Sequence, residues 1–239
     1  MAGLGTIINA AAIAAGGVLG SFFGRFLTPQ SQDTLMKTCG VCVLFLGVNG
    51  AMEGFMTVQG SALVSGRTML VIASLALGAL IGELLDIEDW LERFGEWLKE
   101  RTGSSGDNRF VDGFVTASLT VCIGAMAIIG SIQDGLMGDY SILEAKSVLD
   151  LIIIMVMTSS MGKGCAFSLI PVALFQGGVT LLAQFVRPIM TEAALSNLSL
   201  VGALLIFCVG VNLVWGKTIR VANLLPSVVV AAAAAFLPA

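Results

Sequence analysis

The chain has 239 residues, 56% of them hydrophobic and only 12% charged, with a net charge of −4 and no histidine. Soluble domains carry about 25% charged residues, so a soluble globule is excluded. The missing histidine also removes Ser-His-Asp and Cys-His nucleophiles and every His-ligated metal site. A sequence pI near 4.8 excludes the dense basic patches of a nucleic-acid binder.

About 20 apolar residues cross a bilayer core of roughly 30 Å, and charges punctuate this chain into such runs. The first covers about 4–24 and is uncharged up to Arg25. Without a basic leading segment it reads as a retained span rather than a signal peptide. Its Gly16, Gly17, Gly20 and Gly24 suit close helix packing. The second run, about 38–58, contains Cys39, Cys42 and Asn49, and the third covers about 67–86. Residues 86–102 are hydrophilic but periodic: Trp90, Leu91, Phe94, Trp97 and Leu98 share one helical face, opposite Glu92, Arg93, Glu96 and Lys99. That pattern predicts an amphipathic helix lying in the membrane interface. After a Gly-Ser-Ser-Gly turn at 103–106 come runs at about 111–132, 147–163, 165–186, 196–216 and 220–237. The expected fold is therefore an all-α polytopic bundle of about eight spans, one membrane domain over 1–239, with central spans in 111–163.

Basic residues orient it. Arg25, Lys37, Arg93, Lys99, Arg101, Arg109, Lys163, Lys217 and Arg220 fall in loops after odd-numbered spans, and only Arg67, Lys146 and Arg187 after even-numbered ones. The positive-inside rule puts the odd loops in the cytoplasm and both termini outside, in an inner (plasma) membrane. The five cysteines all lie in apolar stretches and read as small packing residues.

The chain also repeats itself. Gly16-Gly17-Val18 and Gly47-Val48-Asn49 return as Gly177-Gly178-Val179 and Gly210-Val211-Asn212, at offsets of 161 and 163 residues; Arg67 and Arg220 open the spans that follow. Spans 1–3 (4–86) thus match spans 6–8 (165–237). A shift of five spans inverts the second copy in the membrane, a plan recurrent in secondary transporters, whose sites lie near mid-membrane.

Polar groups at membrane depth are the candidate ligands. Asn49 and Asn212 are the symmetric pair. The run Cys122 to Gly135 offers Gly124, Ser131, Gln133 and Asp134, oxygen donors suited to a hard cation, with Asp134 as a candidate sodium ligand. Ser159 and Ser160 sit in a polar break before Gly162-Lys163-Gly164, and Gln176 lies deep in span 6. The break lacks the spacing and strand context of a phosphate loop, so nucleotide is rejected. For each polar residue, helix-to-helix hydrogen bonding is the competing account.

Asn9 with Gly16-Gly17, the 122–135 run, Ser159-Ser160-Met161-Gly162-Lys163-Gly164, and Gln176-Gly177-Gly178 before Thr180-Leu181-Leu182-Ala183 resemble the YqgA/YdfK-like bacterial membrane proteins, domain of unknown function 554. The resemblance covers nearly the whole chain and implies a sodium channel or pump; it assigns no residues. The expected function is transport of a small ion or solute, with sodium as substrate or coupling ion. The partners are the lipid bilayer and that solute, without cofactor or enzymatic activity, and a homo-oligomer is left open. The rival is a membrane scaffold or sensor whose repeat only packs.

Overall fold

A computed structural model describes residues 3–59, 62–104, 106–122, 125–188 and 190–236. In chain order the helices are α1 (Leu4–Gly24), α2 (Pro29–Phe55), α3 (Thr68–Leu85), α4 (Ile87–Arg101), α5 (Phe110–Cys122), α6 (Ala125–Met137), α7 (Ser141–Met161), α8 (Leu169–Leu181), α9 (Ala183–Val186), α10 (Glu192–Trp215) and α11 (Pro226–Ala234). Short 3-10 segments, Lys163–Ser168 and Val221–Leu224, lead into α8 and α11, and a two-stranded hairpin, Met56–Gln59 with Ala62–Ser65, joins α2 to α3.

Five of these segments are long and apolar enough to cross a membrane: α1, α2, α3, the run Lys163–Leu181 and α10. A sixth arises if α5 and α6, bent by 63° at their break, form one broken span. Two of the eight expected spans fall outside that count. The last, Val221–Ala234, is short. The fifth, expected at 147–163, is the 21-residue α7; it starts earlier and takes Glu144 and Lys146 into the helix beside Asp150. Lys146, expected in a loop, is 7% exposed and Asp150 4%.

The chain forms two compact units, each drawing on both halves of the sequence. One comprises Met1–Cys39 and Asp89–Arg187, the other Gly40–Glu88 and Pro188–Ala239.

In the first unit α1 lies along α7. A Cβ on Gly16 would sit 2.5 Å from the Leu151 carbonyl oxygen, and Gly20 and Gly24 meet Met155 and Ser159 in the same register. The rising register makes the two helices parallel, and glycine lets their backbones touch. Replacing Gly16 with valine is therefore expected to lower the Tm in detergent, at a cost of roughly 1–3 kcal/mol for overpacking. Gly178→Ala, where a Cβ would meet nothing within 4 Å, should leave Tm unchanged; equal Tm values would refute the close approach. The amphipathic helix appears as α4. Trp90 and Trp97 are exposed, Leu98 is buried, and Phe94 packs on Phe114 with ring centroids 5.8 Å apart.

In the second unit α3 packs against α11 and α10 against α11. Gly78 faces Ser227 and Gly82 faces Asn223, a falling register that makes α3 and α11 antiparallel. Polar bonds fix the turn into α11. Buried Glu88 accepts the Ala222 N–H and pairs with Lys217 at 2.9 Å, while Arg220 bridges Glu83 and Asp86.

Candidate functional site

The first unit contains a polar seam that its apolar composition makes conspicuous. α1 is almost wholly hydrophobic, yet Asn9 is fully buried on it. The Asn9 amide donates from Nδ2 to Asp150 Oδ2 on α7 at 3.0 Å and to Gln176 Oε1 on α8 at 3.3 Å. Asp150 also takes the Lys146 ammonium, one helical turn earlier on α7, in a buried ion pair. A lysine and a carboxylate four residues apart face each other on a helix. Lys146 and Asp150 therefore cancel each other's charge, and Asn9 ties the pair to two further helices.

One turn back along α1, about 6 Å from Asn9 by helical rise, the seam continues. Asp134 on α6 is fully buried, and its Oδ2 accepts the Gly5 N–H at 3.0 Å. The carboxylate thus caps α1, where exposed amide donors and the helix dipole favour negative charge. Ser131 precedes Asp134 by one turn on α6 and is also fully buried, and Thr180 follows Gln176 by one turn on α8. A Cβ on Gly135 would meet the Thr180 carbonyl, and one on Gly177 would lie 4.0 Å from Thr6 Cγ2. α1, α6 and α8 therefore converge on this end of the seam.

Six buried side-chain atoms here have no hydrogen-bond partner: Thr6 Oγ1, Asn9 Oδ1, Ser131 Oγ, Asp134 Oδ1, Gln176 Nε2 and Thr180 Oγ1. Each unsatisfied buried polar group costs about 1–3 kcal/mol, and native proteins leave few of them. Five of the six are oxygens. With Lys146 and Asp150 mutually neutralised, Asp134 carries the seam's uncompensated charge among the described residues. That set suits a hard cation held by oxygen. Among the described residues no three Asp, Glu, Cys or His side chains group as metal ligands, so the donors are amides, hydroxyls and one carboxylate. At the surface end, the Ser141 hydroxyl and then its backbone N–H bond to exposed Asp139, at 2.6 and 3.1 Å, and hold its carboxyl below the usual range. Those bonds fix the entry into α7.

The expected site residues divide. Asp134, Ser131 and Gln176 lie in the seam. Gln133 is half-buried on α6, and Gly124 lies outside the described residues. Ser159 and Ser160 are buried, but their hydroxyls bond back to the carbonyls of Val156 and Met157 within α7. Asn49 is exposed on α2 in the second unit. Asn212, in the same unit, clamps its own turn: Nδ2 donates to the Ile219 carbonyl at 2.7 Å, and Oδ1 accepts the Thr218 and Ile219 N–H groups, each at 3.0 Å. Asn9, Lys146, Asp150, Thr6 and Thr180 were not among the expected ligands. The available signal was a lysine and an aspartate four apart, opening the run Leu151-Ile-Ile-Ile.

Comparison with known proteins covers the same length. The family described as "Protein of unknown function (DUF554)" matches residues 4–236. The "Uncharacterized membrane protein YdfK" of Bacillus subtilis (strain 168) is 30% identical over 226 residues, 95% of this chain and 93% of that protein. The "Uncharacterized protein YqgA" of Escherichia coli (strain K12) is 28% identical over 232 residues, 95% and 94% of the two chains. No solved structure matches.

Proposed function

This chain belongs to the DUF554 family, and on that premise we propose that it moves a small monovalent cation across the bacterial inner membrane as a transporter, not an enzyme. The observation that carries the proposal is the buried seam around Asp134 and Asn9, with five unpartnered oxygens and one uncompensated carboxylate. Sodium, the ion implied by the family resemblance, is the first candidate. A seam built only to glue helices together would pair its donors and acceptors with one another, because in hydrocarbon nothing else satisfies them.

The eight-span inverted repeat is part of this proposal, and helix polarity supports it. Spans 1 and 5 (α1, α7) are parallel, whereas spans 3 and 8 (α3, α11) are antiparallel, as alternating crossings require. The equivalent helices α2 and α10 also run antiparallel. Gly47 on α2 abuts the backbone of Phe207, and its repeat partner Gly210 on α10 abuts that of Leu44. The offset of 163 residues carries Leu44 onto Phe207, so the two contacts exchange, as a two-fold relation between inverted copies demands. Equivalent helices also share a unit: α1 with α8 in the first, α2 with α10 and α3 with α11 in the second. The bent α5–α6 pair beside Asp134 fits the broken helices that build transporter sites.

Flux is the direct test. Purified protein in liposomes should pass or exchange sodium against a gradient, above empty liposomes and above protein inactivated by heat. Tight liposomes showing no flux of sodium, lithium or potassium would overturn the reading in favour of a scaffold. On the same topology, a cysteine at position 104 should resist external labelling in intact cells while one at 239 reacts.

A further inference from the structure

A second polar feature of the first unit lies away from the seam, where α1 and α7 end. A cavity of about 320 Å3 opens there, lined among others by Arg25, Gln32, Asp107, Arg109, Thr158 and Lys163. Its charged lining comprises three cations and one anion. Part of this is structural. Arg109 donates to the Ser160 carbonyl at 3.1 Å and to Gln32 Oε1 at 3.1 Å, and Gln32 donates to the Gly24 carbonyl at 3.2 Å, so the free carbonyls of both helix ends gain partners. Asp107 turns inward to accept the Arg109 N–H at 3.0 Å.

Arg25 and Lys163 are surplus to that capping: among the described residues neither side chain has a hydrogen-bond or ion-pair partner. Thr158 belongs to the lining but is only 3% exposed, and its Oγ1 is closed off from solvent. At the end of α1 and just past it, next in sequence to the lining residues Ser21, Gly24 and Arg25, Phe22, Phe23 and Phe26 are each more than half exposed, with Phe22 edge-on to Phe26 at 5.3 Å. Two free cations lining an open cavity fit a phosphate, and the exposed aromatic residues that neighbour the lining residues Ser21, Gly24 and Arg25 in the chain fit acyl chains.

We propose that this cavity binds the phosphate of an anionic phospholipid through Arg25 and Lys163, with the acyl chains along Phe22 and Phe26. Basic pockets between membrane helices recognise such headgroups by charge. The full-length protein in neutral detergent should bind phosphatidylglycerol, measured by native mass spectrometry and as a rise in Tm, and phosphatidylcholine far less. Arg25→Gln with Lys163→Gln should weaken phosphatidylglycerol roughly thirtyfold, at about fivefold per charge. Both residues are exposed and unpartnered, so the fold should survive, and Arg25→Lys with Lys163→Arg should retain binding. Inorganic phosphate at millimolar concentration should compete only weakly. Unchanged lipid affinity in the double glutamine variant would overturn the proposal. So would equal binding of phosphatidylcholine, or tight inorganic phosphate without lipid binding.

Discussion

Lys146→Gln is expected to destabilise the protein by about 3–5 kcal/mol, the usual cost of stranding one charge of a buried ion pair. The Tm in detergent should fall on the order of 10 °C. The cause is local: Lys146 and Asp150 are both almost fully buried, and among the described residues Asp150 gains one further bond, from the neutral Asn9 amide. Replacing both charges, Lys146→Gln with Asp150→Asn, should recover most of the loss, because two neutral amides can still bond across one turn and to Asn9. A single variant as stable as the parent would show that water reaches the pair. A double variant no better than the single would show that the cost arises elsewhere than in the stranded charge.

Asp134→Asn is expected to weaken sodium binding about tenfold to a hundredfold while sparing the fold. That range is what losing a charged ligand at about 1.5–3 kcal/mol amounts to. The substitution isolates charge from architecture: asparagine caps helices as well as aspartate, so the bond to the Gly5 N–H survives. Asp139→Asn, an exposed carboxylate five residues on, is the matched control and should bind sodium normally. Binding measured by calorimetry on both variants decides it. Equal affinities would remove Asp134 from the site.

Much of this was legible in the sequence because hydropathy and periodicity report directly on burial. The order of apolar segments, the aromatic face of α4 and the glycine contacts of α1 follow from residue type and spacing alone. Asp134, Ser131 and Gln176 were legible as polar groups embedded in apolar runs. What misled is equally physical. Charged residues ordinarily mark loops, so Lys146 was expected in the loop before the span at 147–163, whereas a lysine that meets its own counter-ion one turn away can enter the helix. Asn49 and Asn212 matched by repeat, but repeat symmetry says nothing about bonding, and Asn212 spends its amide on the turn at Gly216. The hydroxyls of Ser159 and Ser160 could have faced a solute; a serine on a helix can also bond to the preceding turn, as these do.

Cation transport by this route requires that the seam along α1 hold a monovalent cation. Thallium(I), a monovalent ion visible by anomalous scattering, tests it most directly in crystals of the purified protein. An anomalous peak is expected in contact with the Asp134 carboxylate, reduced by sodium competition and absent from Asp134→Asn crystals. Crystals soaked to saturation with no peak along Thr6, Asn9, Ser131, Asp134, Gln176 and Thr180, or with one that persists in Asp134→Asn, would contradict it.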